Sequence, residues 1–303
     1  MDGSISLGVN SKHTIKNKIE TLLFSGGGIR GICYIGCLKY LEIQQDITLD
    51  ISEICGVSIG SIISFFYVLG YTADEIKSAV FDKNLEKLKN ISFINFIYQY
   101  GLDNGDTIMK WLESFILLKF NKDAQLTFKE LYDLVPIKLN ILSTNLNKYT
   151  YTQFNHSTTP SVKVLDAIRM SISIPLLFTK QIYNNDIHVD GCLIGSYPIK
   201  LYNDKLDTLL GFKLISLGEQ DEDVSIKIDS LETFIYNIYS CYTSQKEKYT
   251  VISEKYQKHT IYIHSENITQ NIKFKLSIQE KQELFDLGYN TTKNTLVQHL
   301  ATF

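Results

Sequence analysis

Two stretches decide how this chain folds: ETLLFSGGGIRGICYIGCLKYLEI (residues 20–43) and ISEICGVSIGSIISFFYVL (residues 51–69). In the first, Glu20–Phe24 is a short apolar run that reads as a buried strand. The glycine loop Ser25-Gly26-Gly27-Gly28-Ile29-Arg30-Gly31 follows it, and Ile32–Ile43 then reads as a helix. That helix is apolar on nearly every side, which places it deep against a sheet. In the second stretch Ile51–Val57 is a strand, Gly56-Val57-Ser58-Ile59-Gly60 is its turn, and Ser58–Leu69 is another almost wholly apolar helix. Two strand–loop–helix units in succession predict an α/β fold with a mainly parallel central sheet covered on both faces.

Working outward, Thr72–Leu134 reads as amphipathic helices without a strand, an insertion after the Ser58 helix. Strands resume at Ile137–Asn145 and Tyr149–Phe154, joined through Leu146-Asn147-Lys148 as a hairpin. A helix over Val164–Ser171 stops near Pro175, and Ile187–Asp190 reads as the end of a strand. Thr208–Ser216 is a buried strand, Leu231–Tyr256 a long helix and Thr260–His264 a last strand. Ser277–Leu300 closes the chain as a helix, with Ser277 and Glu280 spaced as a capping box. No repeat or Pro/Gly/Ser-rich linker divides these elements. The expectation is a tail over residues 1–18 and one domain over 19–303, with 72–134 as a helical insertion or lid and 220–303 as a helical C-terminal portion.

The 303 residues are 44% apolar and 21% charged, the composition of an ordinary soluble globular protein. Thirty basic and 33 acidic residues give a net charge of −3, which argues against nucleic acid as a partner. Five scattered cysteines (Cys33, Cys37, Cys55, Cys192, Cys241) fit a reducing compartment better than a disulfide framework. The near-apolar run from Ile62 to Leu69 is far short of the ~20 residues that span a bilayer, and the N-terminus lacks an apolar leader. A cytoplasmic location is the expectation.

Glycines between a strand and a helix let backbone N–H groups point outward at a helix N-terminus, where negative charge is favoured. Such a loop holds a phosphate, holds the oxyanion of a reacting ester, or serves only as a tight turn. A dinucleotide site also needs an acidic residue at the end of the second strand. Here that strand runs instead into Gly56-Val57-Ser58-Ile59-Gly60, a G-x-S-x-G turn that lifts a serine above the sheet rim. A serine hydroxyl is a poor nucleophile until a base takes its proton. An α/β-hydrolase triad would use a histidine late in the chain, and His264 is the best placed. The other candidate base is Asp190, in His188-Val189-Asp190-Gly191-Cys192-Leu193.

In order, the glycine loop, the Ser58 elbow, Ala167–Pro175 (AIRMSISIP), the Asp190-Gly191 step and SYPI at Ser196–Ile199 resemble the patatin-like phospholipase family. The resemblance spans roughly Thr21 to Leu217. It implies a lipid acyl hydrolase with a Ser-Asp dyad: Ser58 as nucleophile, Asp190 as general base, and backbone N–H groups of Gly27 and Gly28 as oxyanion hole. Gly26, Arg30, Gly31, Gly56, Gly60 and Gly191 belong to the same motifs. It implies chemistry without a cofactor or metal, on a membrane or micellar phospholipid or another acyl-lipid. Ser25, Cys192 and Ser196 depart from the residues common at their positions in the family.

Beside this stand two other readings: a His264-based esterase, and a lipid- or nucleotide-binding module without chemistry. Arg30 either contacts lipid phosphate or fixes the loop, and His188 either tunes Asp190 or simply packs. Cys33 and Cys37, one helical turn apart, lack a second pair to complete a metal site and read as small buried residues. The apolar positions Phe93, Phe96, Ile97 and Tyr100, and then Trp111, Leu112, Phe115 and Ile116, either pack the helical layer or border an acyl channel and a bilayer.

Overall fold

The computed structural model describes residues 18–121, 125–215, 228, 230–249, 253–265 and 276–301. Strand β1 (Lys18–Phe24) leads through a 3-10 turn at Gly28–Gly31 into α1 (Ile32–Ile43), and β2 (Thr48–Val57) leads into α2 (Ile59–Val68). The insertion holds α3 (Ala73–Phe81), α4 (Phe93–Gln99), β3 (Gly101–Asp103), α5 (Asp106–Phe120) and α6 (Phe128–Leu134). Then come β4 (Lys138–Asn145), β5 (Thr150–Phe154), α7 (Val164–Ser171), β6 (Leu176–Phe178), β7 (Gln181–Tyr183) and β8 (Asp186–Asp190). The chain continues with β9 (Leu209–Ile215), α8 (Leu231–Tyr249), α9 (Glu254–Gln257), β10 (Thr260–His264) and α10 (Ile278–Ala301).

The main sheet runs β10-β9-β1-β2-β4-β8-β7, with β5 paired to β4. From β10 through β4 every pairing is parallel, and β5, β7 and β8 add an antiparallel end. Alternation along the strands sorts side chains to two faces. Leu22, Phe24, Ile54, Ile141 and Phe212 enter the large core beneath α1, α2 and α10. Leu23, Cys55, Val57, Leu142 and Leu209 enter a smaller core with Tyr202 and Tyr256. The expected α/β fold with a mostly parallel sheet is the observed one.

Helix α1 is buried almost all round because α10 lies across its outer side. Gly36 and Gly288 make that approach possible: a Cβ at Gly288 would sit 1.8 Å from the Cys33 carbonyl oxygen, and one at Gly36 would sit 1.9 Å from that of Phe285. Ser277 does cap α10, accepting from the Glu280 amide while Glu280 accepts from the Ser277 amide.

Three features differ from the sequence reading. The 72–134 insertion is not strand-free, since β3 pairs in parallel with β6 in a separate two-stranded sheet. The strands β6 and β7, three residues each, carry too little pattern to read. A signal for β7 did exist: Asn184 and Asn185 both adopt positive φ, the two-residue turn that joins β7 to β8. The helix expected over Leu231–Tyr256 is described as two, α8 and α9, with Ser253 starting the second. Gly288→Ala is expected to force α1 and α10 apart and to lower stability by about 1–3 kcal/mol, read as an earlier midpoint in urea unfolding.

Candidate active site

Strand register brings Ser58 and Asp190 together. Along Ile141–Asn145, one edge of β4 is occupied by β5. Its other edge is shared: β2 pairs as far as Val57↔Leu142, and β8 takes over at the next residue, Ser143↔Asp190. Because β8 runs antiparallel, its last residue meets the end of β2 head-on. Residues 132 apart in sequence thereby touch, and the Ser58 hydroxyl donates to Asp190 Oδ2 over 2.6 Å.

The elbow holds the serine in a conformation that L residues rarely take, φ 53° and ψ −123°. Such strain costs of order 1–3 kcal/mol and persists only where the surroundings enforce it. Here they do. The Ser58 amide donates to Ser171 Oγ, and Ser171 donates on to the Leu142 carbonyl. The Ser58 carbonyl accepts from both the amide and the hydroxyl of Ser61. The flanking glycines allow the sharp return, since a Cβ at Gly60 would lie 2.4 Å from the Phe24 carbonyl oxygen and one at Gly56 would lie 2.2 Å from that of Gly60.

Asp190 is 1% exposed and Ser58 6%. The Cys192 amide donates to Asp190 Oδ1, the Asp190 amide donates to the Ser173 carbonyl, and Thr144 Oγ1 donates to the Asp190 carbonyl. Burial pushes the Asp190 carboxyl above the ordinary carboxylate range, and the donors Ser58 and Cys192 offset part of that rise. Gly191 lets the strand pass close to its neighbours, where a Cβ would sit 2.7 Å from the Leu142 carbonyl oxygen.

The glycine loop runs past the same point. Gly26 backs onto both Ser58 and Cys192. Gly28 opens the 3-10 turn, so the amides of that turn's first residues have no partner within it. Ser25 is fully buried and anchors the loop: its hydroxyl lies 2.7 Å from the Tyr34 hydroxyl and accepts from the Leu214 amide. Arg30 donates to the carbonyls of Gly27 and Ile215, which ties the loop to the end of β9 and supports the loop-fixing reading. Gly31 packs against Ile59 of the elbow helix.

Ser58 and Gly28 lie on the wall of a cavity of about 180 Å³. Its other walls are mainly apolar, among them Ile62, Phe66, Ile108, Trp111, Leu177 and Phe178. Lys89 and Glu232 also line it, paired at 2.7 Å, and this ion pair joins the segment before α4 to α8. The aromatic and aliphatic residues of the insertion therefore divide: Trp111 borders the cavity, Leu112 and Ile116 are core, and Phe93, Ile97 and Tyr100 face outward.

The two histidines stand elsewhere. His188 is buried, bonds Ser143 through Nδ1 at 2.8 Å and packs among Phe154 and Tyr183, and burial pushes its pKa down. His264 ends the edge strand β10, three strand spacings or about 14 Å from β2. Cys33 and Cys37 are buried on α1, with the Cys37 thiol pushed up to about 12 by burial. Among the described residues no group of three or more His, Cys, Asp or Glu side chains is arranged to hold a metal ion. Sequence reasoning assigned no role to Ser171, Ser173 or Thr144. The first two stand out as polar positions within the apolar run MSISI, and Thr144 as one within the buried strand β4.

The profile of the patatin-like phospholipase family matches residues 22–201. Among relatives, an uncharacterised protein, R571, of Acanthamoeba polyphaga mimivirus is 28% identical over 292 residues, covering 95% of this chain and 97% of the relative. A probable lipid hydrolase, 463L, of Invertebrate iridescent virus 6 is 33% identical over 190 residues, covering 60% of this chain and 62% of that one. Among solved structures, VipD from Legionella pneumophila superposes with a TM-score of 0.57 at 17% identity, over 93% of this chain and 67% of VipD. The family match makes the chain a lipid acyl hydrolase. The chain belongs to the patatin-like phospholipase family.

A carboxyl whose native pKa exceeds its unfolded one holds its proton more tightly when folded, so its contribution to stability is lost as pH rises through the native value. Asp190→Asn removes that loss. The variant is expected to melt at a higher temperature than the parent at pH 8, with the difference shrinking toward pH 4, as followed by thermal unfolding across that range.

Proposed function

We propose that this chain hydrolyses fatty-acyl esters of phospholipids or related lipids through an acyl-Ser58 intermediate, with Asp190 as the only proton carrier. The observation that carries the reading is the direct Ser58–Asp190 hydrogen bond at the wall of an apolar cavity. As Ser58 Oγ attacks the ester carbonyl carbon, its proton passes to Asp190 Oδ2. The carbonyl oxygen gains negative charge and is received by the amides of Gly27 and Gly28, interactions worth ~2.7–4 kcal/mol each in comparable sites. When the tetrahedral intermediate collapses, Asp190 returns the proton to the departing alcohol oxygen. Water then attacks the acyl-serine, Asp190 takes its proton, and the proton goes back to Ser58 as the fatty acid leaves.

A carboxylate is a weak base, and two features make it serviceable. Direct contact removes the need for an intermediary histidine, and burial raises its proton affinity toward working pH. The apolar cavity suits an acyl chain, which leaves the ester at Ser58 and the more polar part of the lipid toward the rim at Lys89 and Glu232. The lipid hydrolase among the relatives supports the same substrate class. No cofactor or metal enters these steps.

We further read the region around 72–134 as a lid over a single catalytic domain spanning 19–303, with 220–303 as its C-terminal portion, in a protein that works in the cytoplasm. Phe93, Ile94 and Ile97 on α4 are each at least 66% exposed, and Phe234, Ile238 and Tyr242 form an exposed stripe on α8. These faces support peripheral contact with a lipid surface. Among the described residues no helix is long and apolar enough to cross a membrane.

The test is hydrolysis of phospholipid vesicles and of a soluble short-chain ester by the parent, Ser58→Ala and Asp190→Asn. Both variants are expected to lose at least about 10³-fold in kcat on both substrates. A fluorophosphonate should label the parent at Ser58 and leave Ser58→Ala unlabelled. Retained hydrolysis by either variant would falsify the dyad.

A further inference from the structure

Helix α8 lies outside the segment matched by the family profile, yet it brings two tyrosines to the site. Tyr236 and Tyr239 are three residues apart, so they share a helix face, and their rings lie 6.5 Å apart. Buried Ile235 beside them packs with Leu177 and Phe178 and sets that face inward. Tyr236 stands over the glycine loop, its hydroxyl 3.1 Å from where a Cβ on Gly28 would be, and it lines the same cavity as Ser58.

Tyr239, one turn further along α8, does not line that cavity. Its ring packs against the core that contains Cys192, and its hydroxyl oxygen is buried without a hydrogen-bond partner among the described residues. That core includes Val57, which precedes Ser58, and Cys192, whose amide holds Asp190, and so it brings the Tyr239 hydroxyl to the carboxylate, on which it acts. Ser58 donates to one oxygen of that carboxylate, the Cys192 amide to the other, and the Cys192 thiol donates to it as well, which leaves one of its four lone pairs for a further donor. A buried donor with nothing to bond and a buried acceptor with room to spare thus lie side by side. Burial pushes the Tyr239 phenol well up, which keeps it protonated and able to donate.

Of the other groups facing Asp190, the Cys192 thiol is a fixed donor from the adjoining turn, and the rest have other work. Thr144 of β4 donates to its backbone carbonyl, and His188 and Ser143 bond each other. Tyr236 stands over Gly28 in the field of Arg30.

We propose that Tyr239 is a positioning residue for Asp190, its hydroxyl turning to donate to the carboxylate whenever the base is charged. The proposal rests on the dyad reading. A donor to the charged form lowers a carboxyl's pKa, and activity requires the deprotonated base. Tyr239 then offsets part of what burial does to Asp190 and steadies the oxygen that accepts the Ser58 proton.

The experiment is kcat/KM against pH on a soluble ester for the parent, Tyr239→Phe and Tyr236→Phe, with Asp190→Asn alongside. Tyr239→Phe is expected to move the acidic limb upward by about one pH unit, leaving KM and the high-pH plateau within about two-fold. Tyr236→Phe leaves that limb where it is. Should Tyr239→Phe fail to fold, Tyr239→p-aminophenylalanine keeps the shape with a weaker donor and gives a smaller upward shift. An unmoved limb, or an equal loss at every pH, with Asp190→Asn silent overturns the proposal alone. Activity in Asp190→Asn overturns the dyad and the proposal with it.

Discussion

The structure turns on a single hydrogen bond, from the Ser58 hydroxyl to the Asp190 carboxylate, and on the strand arrangement that makes it unavoidable. β4 runs three residues past the point where its pairing with β2 ends at Leu142. β2 covers its first half and β8 its end, running in opposite directions, so their tips abut where Leu142 gives way to Ser143. Two strand ends held by a third thus set the Ser58–Asp190 pair. The pair therefore takes its precision from strand ends and not from long loops.

Around that contact the chain accepts local costs for the sake of geometry. Ser58 is held at positive φ by Ser171 and Ser61, and Asp190 is buried where its charge is disfavoured. Both features oppose stability, and the proposed proton transfer draws on both. The network that maintains them reaches well beyond the motif: Ser171 ties the elbow to β4, Ser25 and Arg30 tie the glycine loop to β9, and the turn after β8 holds the carboxylate through the Cys192 amide. Ser25 and Cys192, two departures from common family residues, both take part in it.

What could be read in advance followed from how local each signal is. The bounds of α1, α7 and β10 came out as expected because each rests on a continuous apolar or periodic run. The elbow was legible because Gly56, Ser58 and Gly60 lie within five residues of a strand–helix junction. Asp190 was not legible from its own surroundings: a strand-ending Asp-Gly step is common, and only the ordered resemblance singled it out. β3, β6 and β7 escaped because three residues cannot display alternation, although Asn184-Asn185 marked a hairpin. The sides of α3, α5 and α8 that face the cavity were hidden for another reason. Facing is decided by packing across the chain, and among 19 tyrosines nothing distinguished Tyr236 and Tyr239.

The most direct measurement of the central claim is a crystal structure of the protein inactivated by a long-chain fluorophosphonate. The account predicts phosphorus bonded to Ser58 Oγ, the phosphoryl oxygen within hydrogen-bond distance of the Gly27 and Gly28 amides, Asp190 still against Oγ, and the alkyl chain in the cavity beside Phe66 and Trp111. A phosphoryl oxygen turned away from the glycine loop, or an adduct on another residue, would contradict it.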